Sequence, residues 1–349
     1  MEKTNVFMKI VRFIVPWKGD SVFEIIRKII FVAGFVTLIV VGGYYLSLHL
    51  TEAADIAEND ELREIYSGTN VDINIPVEKL EQLEKENPEV LEQFLPLLEI
   101  NNDIVGWLTI GDDKFIDYVV LQTNDNDYYL THNYNKAESK SGSLFIDYRN
   151  VLTADKQSAN IVVYGHNMKS GAYFGLLPRF FNYDITKNKN DLSFYKSHPT
   201  LTFSSLYKSS KYKIFGGILV RVNTGKEEDF QYHNIHNFEN KAQFDNYCAE
   251  ILDRSTFINP DVDLKYGDNL ITLSTCILNT AYGEGVEMRW VLFAREVREG
   301  ESEEVDVSKA YANPSPLFYD EYYKVRGGKW NGRGWKEEII AGYDPNKED

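Results

Sequence analysis

The chain has 349 residues, of which 43 % are hydrophobic and 26 % are charged. This length suits one good-sized domain with appendages, or two small domains. The formal net charge of −16 argues against a nucleic-acid binder, because such a protein needs a basic surface to neutralise phosphates.

The first 50 residues combine a basic leader with an uncharged apolar run. Residues 1–28 hold six Lys or Arg against three Asp or Glu, residues 29–50 hold none of these, and the rest of the chain carries −19. A run of this length crosses a bilayer core of ~30 Å, and Tyr44 and Tyr45 suit its interface. Because positive charge stays inside, we expect a cytoplasmic leader (1–28), a single-pass anchor (29–50) and an extracellular remainder. The alternative, a cleaved signal peptide, is disfavoured by the length of the run and by the lack of a clear cleavage site.

Residues 51–94 are predicted to join this anchor to the folded domain. Residues 51–75 are acidic and poorly patterned, which favours a solvated tether. An apolar stripe over residues 76–99 predicts a helix that is interrupted at Pro88.

Short β-like runs separated by Gly, Asn and Asp follow from Asn101 onward. The predicted strands are residues 104–110, 116–121, 143–147, 161–164, 200–204, 212–222, 270–275 and 287–298. Helical insertions are predicted around residues 173–180 and 241–254. The fold class is therefore mainly β, an eight-stranded barrel over residues 95–298 with helical insertions, preceded by the helix and the membrane span. Residues 299–349 form a C-terminal extension to which the sequence assigns no role.

The two cysteines differ in setting. Cys248 recurs with Phe244, Tyr247 and Ile251 at helical spacing, which predicts a buried, inert thiol. Cys276 instead ends a strand. A disulfide between them stays open, but two free thiols with one reactive are favoured.

Three polar residues at or in β-like runs suggest thiol acyl-transfer chemistry. Cys276 ends one run, His166 ends another, and Arg289 lies within a third. Cys276 would be the nucleophile, His166 its general acid and base, and Arg289 a fixed donor to an oxyanion or to the substrate. Taken singly, each has a plainer explanation: a buried thiol, a histidine bonded to a loop, and an arginine paired with Glu287 or Glu284.

Other polar residues carry weaker predictions. The spacing of His233 and His236 could suggest a metal, but no Cys, Asp or Glu cluster adjoins them in the sequence, so a solvated loop is expected. No carboxylate is identified that would orient His166. Tyr164 and Ser274 flank the catalytic positions and are candidate substrate contacts.

An ordered set of short motifs over residues 95–298 resembles a class B sortase. The motifs are NDIVGW (102–107), IDYVVLQ (116–122), YYLTH (128–132), GSLFIDYR (142–149), YGHNM (164–168) and TLSTC (272–276), followed by the strand that holds Arg289. The long helical insertion before the cysteine strand is also similar to this class.

This resemblance implies a membrane-anchored cysteine transpeptidase of Gram-positive cell surfaces. Its substrates would be secreted proteins with a C-terminal sorting signal, favoured to begin Asn-Pro or Ser-Pro with Thr at the fourth position. Cys276 would cleave after that Thr through a thioester, and an amine of the peptidoglycan cross-bridge or a pilin lysine would resolve it. The family chemistry needs no metal and no organic cofactor.

Two other functions are kept as alternatives. One is a Cys-His cell-wall peptidase that hydrolyses instead of transferring; in papain-like chains, however, the cysteine precedes the histidine, whereas here His166 precedes Cys276. The other is an anchored binding module without catalysis, in which the thiol would be dispensable.

Overall fold

Extended runs dominate the chain after residue 100 and close into a barrel. A computed structural model describes residues 6–69, 75–181, 183–184, 189–222, 230–277, 287–327 and 329. The helices are α1 (Val6–Ile14), α2 (Val22–Ser67), α3 (Val77–Glu86), α4 (Leu95–Ile100), α5 (Ser193–Ser197), α6 (Lys241–Arg254) and α7 (Asp320–Arg326). The strands are β1 (Ile104–Ile110), β2 (Ile116–Leu121), β3 (Leu144–Ile146), β4 (Asn160–Tyr164), β5 (Tyr183–Asp184), β6 (Lys189–Asn190), β7 (Thr200–Ser205), β8 (Ser209–Val222), β9 (Phe257–Ile258), β10 (Leu270–Cys276), β11 (Glu287–Glu296) and β12 (Tyr311–Ala312).

The barrel strands pair in the order β1-β2-β3-β4-β10-β11-β8-β7, and β7 closes the ring against β1. These are the eight predicted strands, so the predicted fold class is confirmed. Most neighbours are antiparallel, but β2 is parallel to β3, and β4 is parallel to β10. Parallel neighbours need a long crossover, which between β4 and β10 contains β7, β8 and α6. Since parallel strands end at the same edge, the last residues of β4 and β10 share one rim of the barrel.

Strand β4 is buried along its whole length, because the barrel interior covers one face and the crossover chain covers the other. Helix α6 packs beside β8 and begins at the predicted residue, where the Asn240 side chain accepts a hydrogen bond from the backbone N–H of Gln243 at 2.9 Å. The four residues predicted for its inner face are all buried: Phe244, Tyr247, Cys248 and Ile251. The other predicted insertion contains a short 3₁₀ helix, Leu177–Phe181.

The prediction of a solvated tether over residues 51–75 is wrong for the part that lies in the barrel unit, residues 57–67. These residues continue α2, and Leu62 and Ile65 are buried in the hydrophobic core. Tyr66 stacks on Trp107 with ring centroids 4.3 Å apart. Leu62, Ile65 and Tyr66 have the i, i+3, i+4 spacing of an apolar helix face, but the acidic residues among them make the segment look solvated in the sequence. Residues 70–74 lie outside the described residues.

The chain divides into two compact units, residues 1–56 and 57–349. In the first unit, α2 contains a span, Val22–Ser47, that is long and apolar enough to cross a membrane, with a mean hydropathy of 2.3 and no buried residue in its apolar window. It covers most of the predicted anchor.

In the second unit, part of the C-terminal extension packs against the barrel: β12 pairs with β9, and Glu301 accepts hydrogen bonds from Arg295 and Lys213. Residues 330–349 lie outside the described residues.

Candidate active site

The register of β4 and β10 brings His166 and Cys276 to the same rim of the barrel. Tyr164 and Ser274 are paired across the two parallel strands. The pairing continues one step beyond β4, where the backbone N–H of Gly165 donates to the carbonyl of Ser274 at 3.2 Å. His166 and Cys276 each lie two residues after the paired positions. The thiol and the imidazole are thus positioned by neighbouring strands that end together.

Side chains fasten these two strand ends to each other. The Asn167 side-chain amide donates to the carbonyl of Cys276 at 2.9 Å, and the Thr275 hydroxyl donates to the carbonyl of Gly165 at 2.7 Å. A Cβ at Gly165 would lie 2.3 Å from the Leu144 side chain, so the close approach requires glycine. The backbone around both candidate catalytic residues is therefore fixed by cross-strand bonds.

Arg289 is the cross-strand partner of Cys276 in the antiparallel pair of β10 and β11. Its side chain is 22 % exposed, and its guanidinium lies 5.9 Å from the centre of the Tyr164 ring. Burial alone would lower the pKa of Arg289, but Coulombic effects of Tyr232 and Cys276, together with the hydrogen bond and charge of Glu287, raise this pKa above its usual value. A permanent positive charge therefore lies beside the candidate nucleophile.

The simpler prediction for Arg289, an ion pair with Glu287, is also realised. Nη2 of Arg289 lies 2.8 Å from Oε1 of Glu287, whose side chain is 40 % exposed. Glu284, the other predicted partner, lies outside the described residues. Because this salt bridge is partly exposed, it holds the guanidinium only modestly and leaves other N–H donors for a ligand.

The partner of the His166 ring is a backbone carbonyl. Nε2 of His166 lies 2.7 Å from the carbonyl oxygen of Leu130. Because a carbonyl only accepts hydrogen bonds, Nε2 carries the proton in this arrangement and Nδ1 is the nitrogen left for proton exchange. A main-chain group has no residue-type signature, so sequence reasoning could not find this partner.

A pocket of about 260 Å³ is lined by Arg289, the cross-strand partner of Cys276, and by Leu130, whose carbonyl bonds the His166 ring. It is lined by Asn126, Asp127, Leu130, Phe145, Tyr164, Val222, Tyr232, His233 and Arg289. Burial, with a further contribution from the charge of Arg149, lowers the pKa of His233 to about 4, so this imidazole is neutral at pH 7. Among its described lining residues, the pocket thus offers apolar and aromatic walls together with the cation of Arg289, the carboxylate of Asp127 and the amide of Asn126.

The comparisons with known proteins decide the family. No family model matches the chain. Sortase B of Listeria monocytogenes is 36 % identical over 199 residues, which are 57 % of this chain and 73 % of that protein. The chain belongs to the sortase B family. It is therefore a cysteine transpeptidase, as the motifs predict.

Solved sortase B structures agree with this assignment. The crystal structure of sortase B from Bacillus anthracis superposes with a TM-score of 0.54 at 28 % identity, covering 72 % of this chain and all of that one. A Staphylococcus aureus sortase B–substrate complex gives 0.53 at 27 % identity, covering 71 % of this chain and 99 % of that one. Both matches cover the whole or nearly the whole of the solved chain.

A buried carboxylate, that of Asp147, bonds side chains that line the pocket of this sortase. Asp147 accepts hydrogen bonds from the Tyr164 hydroxyl at 2.9 Å, from Nη2 of Arg149 at 2.8 Å and from the Asn126 amide at 3.0 Å. Burial would raise the pKa of Asp147, but hydrogen bonds from Arg149 and His236 hold it well below its usual range. Asp147 thereby fixes two pocket residues, Tyr164 and Asn126, and sequence reasoning assigned it no such contact.

The prediction of a solvated loop is wrong for His236, whereas His233 is partly exposed and lines the pocket. His236 is 5 % exposed, and its Nε2 lies 3.5 Å from Oδ1 of Asp147. The carbonyl of His236 accepts from the backbone N–H of Asn160 at 2.8 Å, so this segment is pinned against β4. Polar residues between short strands were read as a surface turn, whereas here they cover the sheet.

The remaining predictions concern the two candidate substrate contacts and the two cysteines. Tyr164 lines the pocket, as a substrate contact requires. Ser274 is fully buried, and its hydroxyl is 2.7 Å from the hydroxyl of Tyr232, so it reaches the pocket through that ring. Both cysteines are free thiols; Cys248 is buried, and burial raises its pKa far above the usual value, which makes it unreactive.

Proposed function

We propose that this sortase transfers secreted proteins from their C-terminal sorting signal to an amine, with Cys276 as nucleophile. Nδ1 of His166 takes the proton of the Cys276 thiol. Sγ then attacks the carbonyl carbon of the signal Thr, the peptide C–N bond breaks, and His166 gives that proton to the leaving amine. The resulting thioester is attacked by an incoming amine, which gives a proton to His166 as Sγ leaves. The observation that carries this proposal is the common rim on which β4 and β10 end, with Arg289 opposite Cys276.

Arg289 is proposed to stabilise the oxyanion or to hold the substrate backbone. Its charge is permanent, its guanidinium keeps donors beyond the one bonded to Glu287, and it borders the pocket. Tyr164 lines the pocket and remains a proposed substrate contact. Ser274, also predicted as a contact, is fully buried and is proposed to act only through its hydrogen bond to Tyr232.

The proposed substrates are secreted proteins with a sorting signal led by Asn-Pro or Ser-Pro, and the acceptor is a peptidoglycan cross-bridge amine or a pilin lysine. A substrate-bound sortase B of similar fold supports the general class. The proposed organisation is a cytoplasmic leader (1–28), an anchor (29–50), a connecting helical segment (51–94), an extracellular catalytic barrel (95–298) and a C-terminal extension (299–349). The apolar span of α2 supports the anchor.

The test is intact-mass analysis of the full chain incubated with peptides of the form Asn-Pro-Xaa-Thr and Ser-Pro-Xaa-Thr. We expect a mass gain equal to the acyl fragment, its loss in Cys276→Ala and its retention in Cys248→Ala, the matched control. Adding triglycine should discharge the adduct and give the transpeptidated product. An adduct that survives in Cys276→Ala would refute the nucleophile, and release by water alone with triglycine present would favour the hydrolytic peptidase.

A further inference from the structure

The chain after the barrel makes a buried ion pair with the end of β8. Nη1 of Arg221 lies 2.8 Å and 2.9 Å from the two carboxylate oxygens of Glu321 in α7, and 3.4 Å from Oδ1 of Asp320. The Arg221 side chain is 1 % exposed and that of Glu321 is 11 % exposed. A buried arginine is tolerated only when it is paired, so this contact fixes where α7 lies on the strand.

Tyr319, immediately before α7, makes a second attachment. Its hydroxyl accepts a hydrogen bond from the backbone N–H of Phe230 at 2.7 Å. Its ring lies 4.7 Å from the guanidinium of Arg221 and 5.5 Å from that of Arg254, and is fully buried. Because a guanidinium close to an aromatic ring is attracted by its π electrons, these two contacts stabilise the position of Tyr319.

These two attachments lie next to the pocket walls. Arg221 precedes Val222, and Phe230 comes two residues before Tyr232; both Val222 and Tyr232 line the pocket. Because side chains alternate along a strand, Arg221 faces α7 while Val222 faces the pocket. Val222 is also the cross-strand partner of Glu287, the residue that bonds Arg289.

We infer that residues 317–326 of the C-terminal extension are a positioning element for the substrate pocket, acting through Arg221 on Val222 and through Phe230 on Tyr232. The inference rests on the proposed function, since it takes this pocket as the place where the sorting signal binds. Tyr319 and Glu321 touch neither the thiol nor the imidazole. Their loss therefore weakens substrate binding while the strand ends that hold Cys276 and His166 stay in place.

The experiment measures kcat and KM of the full chain for the Asn-Pro-Xaa-Thr peptide that gives the most adduct. Glu321→Gln is expected to raise KM about three- to tenfold and to leave kcat within about twofold, the signature of lost binding common to ground and transition states. Glu321→Asp, which keeps the carboxylate, should lie closer to the wild type. Tyr319→Phe removes only the hydroxyl bonded to Phe230 and should raise KM in the same direction, by less.

Glu303→Gln is the matched control. Glu303 belongs to the same extension and pairs with Lys211 near the other end of β8, at 3.2 Å and largely exposed, so its loss should change neither constant. The rate of Cys276 alkylation by iodoacetamide reports whether the catalytic rim is intact in each variant.

Two results would overturn the inference. An unchanged KM in both Glu321→Gln and Tyr319→Phe, with normal alkylation, would show that the extension does not act on the pocket. A fall of kcat and alkylation together at constant KM would show that it only maintains folding. Both are distinct from failure of the proposed function, which would appear as product formation by Cys276→Ala.

Discussion

Arg289 presents a planar fork of donors beside Cys276, and this geometry is specific to a guanidinium. One donor is bonded to Glu287 at 2.8 Å, and the group lies over the Tyr164 ring. Lysine would keep the charge but offers a single ammonium that cannot bond the carboxylate and an oxyanion in the same fixed plane. We therefore expect Arg289→Lys to lower kcat/KM about 10²-fold, as removal of an oxyanion donor does.

The measurement for Arg289→Lys is steady-state cleavage of the selected peptide, with the unfolding midpoint as a check on folding. Glu287→Gln is the control, because it removes the partner but leaves the guanidinium. Its effect should be much smaller. Near-normal turnover of Arg289→Lys would show that the role of Arg289 is structural and not catalytic.

Asp147 gives a prediction with a defined pH dependence. Its side chain is fully buried and paired with Arg149, which is 35 % exposed. Asp147→Asn should lower the free energy of unfolding at pH 7 by roughly 2–4 kcal/mol, less than for a fully buried pair because Arg149 is partly solvated.

The pH dependence of this loss follows from the depressed pKa of Asp147 in the folded state. A depressed carboxyl pKa stabilises the fold above the unfolded value of about 3.9 and loses that contribution as pH falls toward the folded value. The difference between wild type and Asp147→Asn should therefore be constant from pH 7 to pH 5 and shrink below pH ~4. Urea unfolding at each pH measures it, and a difference that grows on acidification would contradict the assignment.

At the scale of elements, local patterns predict the strands well because most are short β-like runs separated by Gly, Asn or Asp. All eight barrel strands occur within three residues of their predicted bounds, and α6 begins and ends as predicted. The pairing of β4 with β10 is different, because over a hundred residues separate Tyr164 from Leu270 and no local signal specifies that register. Long-range pairing also explains why the Leu130 carbonyl at His166 and the buried position of His236 were not predicted. The order of the motifs predicts Cys276, His166 and Arg289 as the catalytic residues, whereas the contacts around them depend on tertiary structure.

The helical segment wrongly predicted as tether should contribute to barrel stability. Leu62 is 1 % exposed and belongs to the main core. Leu62→Ala removes buried methyl groups and leaves a cavity, so we expect a loss of about 2–5 kcal/mol in the free energy of unfolding. Glu64→Ala, an exposed neighbour on the same helix, should change it by less than ~0.5 kcal/mol. Urea unfolding of the detergent-solubilised chain compares the two, and equal small effects would restore the tether interpretation.

At the scale of the whole molecule, charge asymmetry predicts the side of the membrane on which the barrel lies. The leader carries +3, the apolar run that follows it is uncharged, and the remainder carries −19. Basic residues in the short segments beside a membrane span tend to stay in the cytoplasm, and this is the main signal for the orientation of the span. We therefore expect the barrel outside the cell. An exterior barrel is also where secreted substrates and wall amines are available to the proposed transpeptidase.

Cysteine labelling tests this orientation directly. Both native cysteines are first replaced, by Cys248→Ala and Cys276→Ala. Lys18 and Ser67 are exposed and lie on either side of the apolar run, so a single cysteine is then introduced as Lys18→Cys or as Ser67→Cys. A membrane-impermeant maleimide should label Ser67→Cys on intact cells, because that residue follows the span, and should label Lys18→Cys only after permeabilisation. The opposite pattern would place the barrel in the cytoplasm. Labelling of both sites in intact cells would argue against a chain that spans the membrane once. The peptide assay gives the same result whichever side of the membrane the barrel occupies, so this labelling is the measurement that shows whether the proposed site faces its proposed substrates.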